Sequence, residues 1–392
     1  MKSIFTALAP NTQIDDAKLA LKQLFLPWRW KRGQSKKELY MKLRDYLNVG
    51  HVYLFESGRS ALYAILKCLD LEPGDEVLLQ AFTCVAVPNS IIWAKARPVY
   101  VDCDERFTMS VDDLKKKITP KCKAVIVQHT FGIEADINAI LEIARKNSLY
   151  VIEDCAHSLG LIKPKGDVSF YSFGRDKIIS STFGGATATD NELIGKRLEA
   201  FQAGMMFPIR PWIFKQLWYP AVMYFVKKTY DIFCGKLLLA FLRTFNLLSK
   251  PVYPEEKVAK QPPFVPRCLP NVLALLALHQ FEKLDSFNGH RKEIAAIYAK
   301  ELKGVGVLRF SILAREANKI LEEGRRARIF LGDWYSTPIA PRGVLYDAVG
   351  YTPKSCPMAE KIGKEVINLP TDINITKEDA HRIIRFVKKY LP

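Results

Sequence analysis

The sequence predicts an α/β architecture, a mostly parallel sheet covered on both faces by helices. Three observations carry this. Between residues 50 and 190, short apolar runs alternate with segments of helical period. The runs are apolar throughout instead of alternating with polar residues, which suits strands buried on both sides. The helical segments between them are about ten residues long, enough for crossovers between parallel strands.

Residues 54–56 read as a short extended stretch. Residues 60–69 read as a helix, with Ala61, Leu62, Ile65, Leu66 and Leu69 on one face. Glu72-Pro73-Gly74-Asp75 marks a turn into a strand over 76–80. An apolar segment ending at Trp93 is read as helical, and 98–102 as a strand. Ser110 is placed to cap a helix running through Leu114 to Ile118. A strand over 123–128, a helix over 136–146 and strands over 149–153, 168–173 and 185–189 follow. The stretch 205–262 differs, being aromatic-rich and basic. Residues 272–302 return to helical period. A strand near 307–313, a helix over 315–323 and a helix over 377–390 with Thr376 as cap complete the reading.

Composition bounds the function. The 392 residues are 49% hydrophobic and 25% charged, which supports a large core and excludes global disorder. No run of about 18 apolar residues occurs, so a membrane span is not expected. The start, MKSIFTALAP, lacks the series of a secretory signal, and a cytoplasmic protein is expected. Lys and Arg number 58 against 41 Asp and Glu, a net +17 that points to anionic partners. No recognition motif accompanies the charge, so nucleic acid is not expected as a partner. The eight cysteines show neither a C-x-x-C pair nor zinc-site spacing. They are read as reduced core residues, with Cys84 and Cys155 near a site, and no metal is expected.

Ligands of such sheets sit beyond the carboxyl ends of the strands. Four features fall there. Ser57-Gly58-Arg59-Ser60 enters a helix, whose free N–H groups can hold a phosphate; a plain turn reads equally well. Asp154 follows a strand, with His157 three residues on. Such an anion can hold a pyridinium proton, or it can simply cap a helix. Lys177, five residues past the Ser172 hydroxyl, is either a solvated amine or one that condenses with an aldehyde. Gly184-Gly185 allows close backbone approach, expected beneath the lysine.

The runs SGRSAL, PGDEVLLQAFTCVAV, RPVYVDCD, QHTFG, EDCAHSLG and SFGRDK, with GG seven residues past the lysine, together resemble the DegT/DnrJ/EryC1/StrS sugar aminotransferases. The likeness resumes at LALLALHQFEKLD and at VINLPTDINIT. It implies the fold type I of pyridoxal-phosphate-dependent transferases, with a seven-stranded-type sheet in a large domain and a smaller C-terminal α/β domain. It also implies pyridoxal 5'-phosphate as cofactor, bound covalently by Lys177. Asp154 would face the pyridine nitrogen, and His157 the ring hydroxyl. Ser172 would bind the phosphate with the backbone N–H groups of Gly58, Arg59 and Ser60. Cys84 stands where many members stack an aromatic residue on the ring, with Phe82 as a substitute. The resemblance further implies a homodimer, glutamate as amino donor and a nucleotide-linked keto-sugar as acceptor, for polysaccharide, glycolipid or natural-product synthesis. Relatives that dehydrate sugars carry His in place of the lysine, so Lys177 favours amino transfer over a dehydratase or lyase. A catalytically silent regulator or membrane scaffold is the other alternative.

Three units are expected: an N-terminal segment 1–49, a large cofactor-binding domain 50–285 and a small domain 286–392. Insertion 205–262 lies within the second. Its apolar faces with basic edges suit an anionic membrane surface, contacted through 208–260 at the inner face, or a hairpin packed on protein. Trp28-Arg29-Trp30-Lys31-Arg32 is a second basic and aromatic cluster, for a diphosphate, a membrane or plain solvent.

Overall fold

The computed structural model describes residues 2–391. Seven strands form the main sheet: β1 (His51–Phe55), β2 (Glu76–Gln80), β3 (Arg97–Val101), β4 (Cys122–Gln128), β5 (Tyr150–Asp154), β6 (Val168–Ser172) and β7 (Gly185–Thr189). They lie in the order β1-β7-β6-β5-β4-β2-β3. Neighbours from β6 through β3 are parallel. Only β7 runs against its neighbours β6 and β1. β3 ends the sheet, where Pro98 costs no interior ladder bond.

The strands form because their side chains are buried on alternating faces. Val77 and Leu79 pack into one cluster with Phe55, Ile65 and Ile126; Leu78 packs into another with Val101, Val125 and Val127. Helices cover both faces. The helix Gly58–Cys68 buries Ala61, Leu62, Ile65 and Leu66, and Ser57, in extended backbone, caps it by accepting from the Ser60 N–H at 3.3 Å. Asp136 and Ser110 cap the helices Ile137–Lys146 and Val111–Lys117 in the same way.

A second sheet is small and antiparallel: β8 (Gly304–Val305), β9 (Arg309–Leu313) and β10 (Val366–Pro370). Helices Leu284–Glu301 and Lys377–Val387 pack on it, the latter with Thr376 as its N-cap. Two short pairings tie the units together. Ile4–Phe5 runs parallel to Ile329–Phe330, and Thr83–Cys84 runs parallel to Ile339–Ala340. Tyr335, Val349, Cys356 and Ile362 pack into the large core. We propose the expected division near residue 285, with the segment 333–362 returning to the large unit.

The inserted region forms a helical hairpin, Arg210–Thr229 and Cys234–Thr244, followed by a 3₁₀ turn Pro254–Val258. Two N-terminal helices, Ile14–Leu24 and Ser35–Leu47, pack nearby; the first lies along Arg210–Thr229. Among the described residues, no helix is long and apolar enough to cross a membrane. All eight cysteines are free.

Candidate active site

A cavity of about 620 Å³ opens beyond the carboxyl ends of β1, β4, β5 and β6. It collects Gly58, Arg59, Cys84, Asp154, His157, Ser172 and Lys177 from segments far apart in the chain. Ser60 is not on its wall. Its side chain donates to the buried Glu56 carboxyl, and its amide is held by Ser57 Oγ, so capping uses the N–H expected to face the phosphate.

The helix Gly58–Cys68 points its first turn into the cavity, and the leading N–H groups of a helix have no partner within it. Gly58 lies against Ser172: a Cβ there would come 2.9 Å from the serine Cβ. Of the paired glycines, Gly185 acts here, and Gly184 packs against Phe173 and Ser181. A Cβ on Gly185 would fall 2.5 Å from the Ser57 carbonyl and 2.6 Å from the Gly58 nitrogen, so β7 reaches the loop only because the residue is glycine.

Asp154 is the last residue of β5 and is buried; its carboxylate accepts from the Ala156 N–H at 3.0 Å. Burial holds its pKa above the usual carboxylate range, with Lys177 and His129 pulling the other way. Burial pushes the Lys177 pKa down, although Asp154, Cys84 and Asp176 favour its charged form. A lysine so placed carries free amine at lower pH than a solvated one. The ring of Trp334 lies 5.4 Å from its Nζ.

His157 accepts at Nδ1 from the Phe131 N–H, 3.2 Å away. Burial holds its pKa well below the usual histidine range, so the ring is neutral with its proton on Nε2. That Nε2 is buried without a partner and belongs to a residue on the cavity wall. The ring stacks between Phe131 and Trp334, at 5.8 Å from each. Phe82 does not reach the cavity: it is buried against Phe107 and Tyr335. Cys155 is also buried away from it, while Cys84 lines it, its thiol pKa raised by burial.

Several wall residues escaped sequence reasoning. Trp334 and Tyr335 come from a stretch without period, where an aromatic pair ahead of Pro338 was the only signal. Arg175 and Asp176 flank the lysine. Pro251, Val252 and Lys257 come from the insertion. The insertion also grips the site from behind. Glu256, fully buried, pairs with Arg59, and Ser249 Oγ accepts from Arg175. The Arg175 guanidinium lies 4.0 Å above the Tyr219 ring. Five basic side chains (Arg59, Arg175, Lys177, Lys257 and Arg342) line the cavity against three acidic ones, Asp154, Asp176 and Asp333. The balance favours anionic groups.

The profile of the DegT/DnrJ/EryC1/StrS aminotransferase family matches residues 13–208 and 267–388. The chain belongs to this family. It is a pyridoxal-phosphate-dependent aminotransferase, and the matched residues span both sheets and leave out the inserted hairpin. GDP-perosamine synthase of Escherichia coli O157:H7 is 26% identical over 387 residues, covering 93% of this chain and 92% of that protein. Among solved structures, Helicobacter pylori PseC, an aminotransferase of pseudoaminic acid biosynthesis, superposes with a TM-score of 0.75 at 19% identity, covering 100% of this chain and 99% of the other. NtdA from Bacillus subtilis, solved with the cofactor PMP bound, gives 0.75 at 21% identity, covering 99% and 85%. These last two share the fold.

The residues present fit the cofactor. A half-buried amine, a buried carboxylate without a charged hydrogen-bond partner, an orphaned ring N–H and a helix N-terminus backed by a serine share one cavity.

Proposed function

We propose that this aminotransferase moves an amino group from glutamate to a keto group on a nucleotide-linked sugar, with the residues above in distinct roles. Lys177 Nζ is the amine that holds the cofactor. Asp154 would face the pyridine nitrogen and keep it protonated. His157 Nε2–H would donate to the ring hydroxyl. Ser172 Oγ and the amides of Gly58 and Arg59 would receive the phosphate, with Cys84 beside the ring. Pyridoxal phosphate supplies an electron-withdrawing ring that stabilises negative charge at the reacting carbon.

The chain's own groups do the rest. Asp154, buried and short of polar neighbours, is stabilised as an anion once a cation faces it. Lys177, released when the donor amine displaces it, takes the proton from the donor α-carbon through Nζ. It returns that proton on the cofactor side, as a positioned general base and then acid. Its depressed pKa favours the free amine needed for the first step. Trp334 and Tyr335 cover one side of the cavity and limit water.

The observation that carries this reading is that Lys177 and Asp154 line the same cavity as the Gly58 helix N-terminus. The substrate class is supported by the perosamine synthase likeness and by the basic excess of the wall. The reading includes a homodimer, as the family resemblance implies, and peripheral contact with an anionic membrane through the inserted region.

The test is direct. Purified protein should absorb in the visible when loaded with pyridoxal phosphate, glutamate should bleach the band, and one nucleotide-linked keto-sugar should restore it. Borohydride trapping with mass spectrometry should place the reduced adduct on Lys177. An adduct on another lysine, or none, ends the assignment. Bleaching by glutamate with no recovery on any such sugar would leave the transaminase and remove the acceptor class.

A further inference from the structure

The family match skips residues 209–266, the stretch that holds the hairpin. It is apolar on two sides. Inward, Tyr219, Val222, Met223, Val226, Leu239 and Leu242 form a closed cluster with Ala9. Outward, Phe233, Leu237, Phe241 and Phe245 recur every four residues and are all more than half exposed. That spacing places Leu237 and Phe241 along one face of Cys234–Thr244, with Phe233 and Phe245 at its two ends. On the other helix, Phe214 and Phe225 are exposed, and Phe214 stacks on Trp218. The two stripes meet where Lys215, beside Phe214, donates to the Asn246 carbonyl at 3.3 Å. The N-terminal helix Ile14–Leu24 extends the surface: it packs on Arg210–Thr229 and exposes Ile14 and Leu21, with Phe25 and Trp28 just beyond its end.

Charge selects the occupant. Between residues 205 and 250 there are seven basic residues and one acid. The acid, Asp231, is taken up by the Ser3 amide and hydroxyl. Lys215, Lys228, Lys236 and Arg243 flank the apolar stripes. Lys18, Lys22, Arg29 and Arg32 are exposed on the adjoining N-terminal segment, whose acids Asp15 and Asp16 are paired to His279 and Lys283. Large apolar side chains with a rim of one sign of charge fit a sheet of anionic headgroups over hydrocarbon. A second copy of this chain would bring the same positive rim.

We infer that the hairpin Arg210–Thr229/Cys234–Thr244 and the N-terminal helix Ile14–Leu24 form one platform that docks the enzyme on an anionic bilayer without crossing it. This deepens the peripheral contact proposed above and narrows it: Pro251, Val252 and Lys257 belong to the active-site wall, and the docking face takes in the N-terminal helix. It does not depend on the amino transfer, because binding is measured without substrate.

The experiment uses the full chain and sedimentation with two sets of vesicles, phosphatidylcholine alone and phosphatidylcholine with phosphatidylglycerol. The protein should pellet with the anionic set and stay in solution with the neutral one. Each of K215Q, K236Q and R243Q should weaken binding roughly fivefold. The double variant F241S/F245S, altered only at exposed sites, should abolish pelleting while keeping the visible cofactor band and the mass in solution. Equal pelleting of that variant, no pelleting of the parent chain, or a fall in mass from dimer to monomer would each overturn the docking surface. The last would make the face a contact between copies. Persistence of the band in the variants keeps a failure here separate from a failure of the transaminase assignment.

Discussion

Arg309 lies flat on Trp334, its guanidinium carbon 3.6 Å from the ring centroid. The same indole has Lys177 Nζ 5.4 Å from its centroid. One ring therefore lies within reach of both the reactive amine and a buried cation. Burial lowers the Lys177 pKa, and Arg309 adds to this by like charge. Trp334→Ala removes this wall of the cavity and admits water. The midpoint for cofactor capture by the apoprotein should then move to higher pH, because a better-solvated amine holds its proton longer. Trp334→Phe should keep the parent midpoint. Stopped-flow capture across pH decides it, and an unmoved midpoint in the alanine variant refutes the role.

Lys177→Ala should lose the visible band and reduce turnover by about 10²–10⁴-fold. Phosphate affinity of the apoprotein should stay unchanged, since Ser172 and the Gly58 amide are untouched. Calorimetry with inorganic phosphate on the apoprotein tests the second half.

Glu256 and Arg59 form an ion pair with almost no exposure. Glu256 also accepts from the Tyr253 N–H at 2.7 Å, so the pair fastens the inserted segment to the helix that enters the cavity. Replacing one partner leaves the other charge buried. Glu256→Gln and Arg59→Gln should each destabilise by about 3–5 kcal/mol, and the double variant by less than their sum. Denaturant unfolding of the four proteins measures the coupling. Simple additivity would show that the contact holds nothing together.

Glu56 supports the same helix entry. Its carboxyl accepts from Ser57 Oγ, Ser60 Oγ and the Arg267 N–H, and burial pushes its pKa up to about 7. The folded state therefore holds a proton that the unfolded chain releases above about 4.5. Its contribution to stability is full below that value and falls away as pH rises through about 7, by on the order of 3 kcal/mol. Glu56→Gln should flatten this part of the stability profile. Melting temperatures measured across the window check it, and an unchanged slope excludes Glu56 as the source.

The large sheet was legible because its strands are apolar on both faces and its turns carry Pro, Gly and Asp at the ends. Strand 76–80 and the caps Ser110 and Thr376 stand as read, and Asp136, read as the first helical residue, is a cap as well. The cofactor-side residues were legible for a related reason: each sits at the end of such a strand. The rest depends on distant partners. Trp334 is held by its backbone N–H to Asn368 Oδ1 at 2.6 Å, a contact 34 residues along the chain. Nothing local marks Glu256, whose partner Arg59 stands 197 positions away. The helices Ile14–Leu24 and Ser35–Leu47 were not read from the sequence, and the apolar side chains they bury fully are few: Ala17 and Ala20 in the first, Leu39 and Leu43 in the second.

Gly185 carries no functional group and touches no substrate, yet a side chain there would collide with the Ser57 carbonyl and the Gly58 nitrogen. The last strand and the anion-binding turn are so interlocked that the smallest residue is the only tenant both will accept. In a comprehensive survey of single replacements, this silent position should prove as intolerant as the reactive lysine, and even alanine should fail.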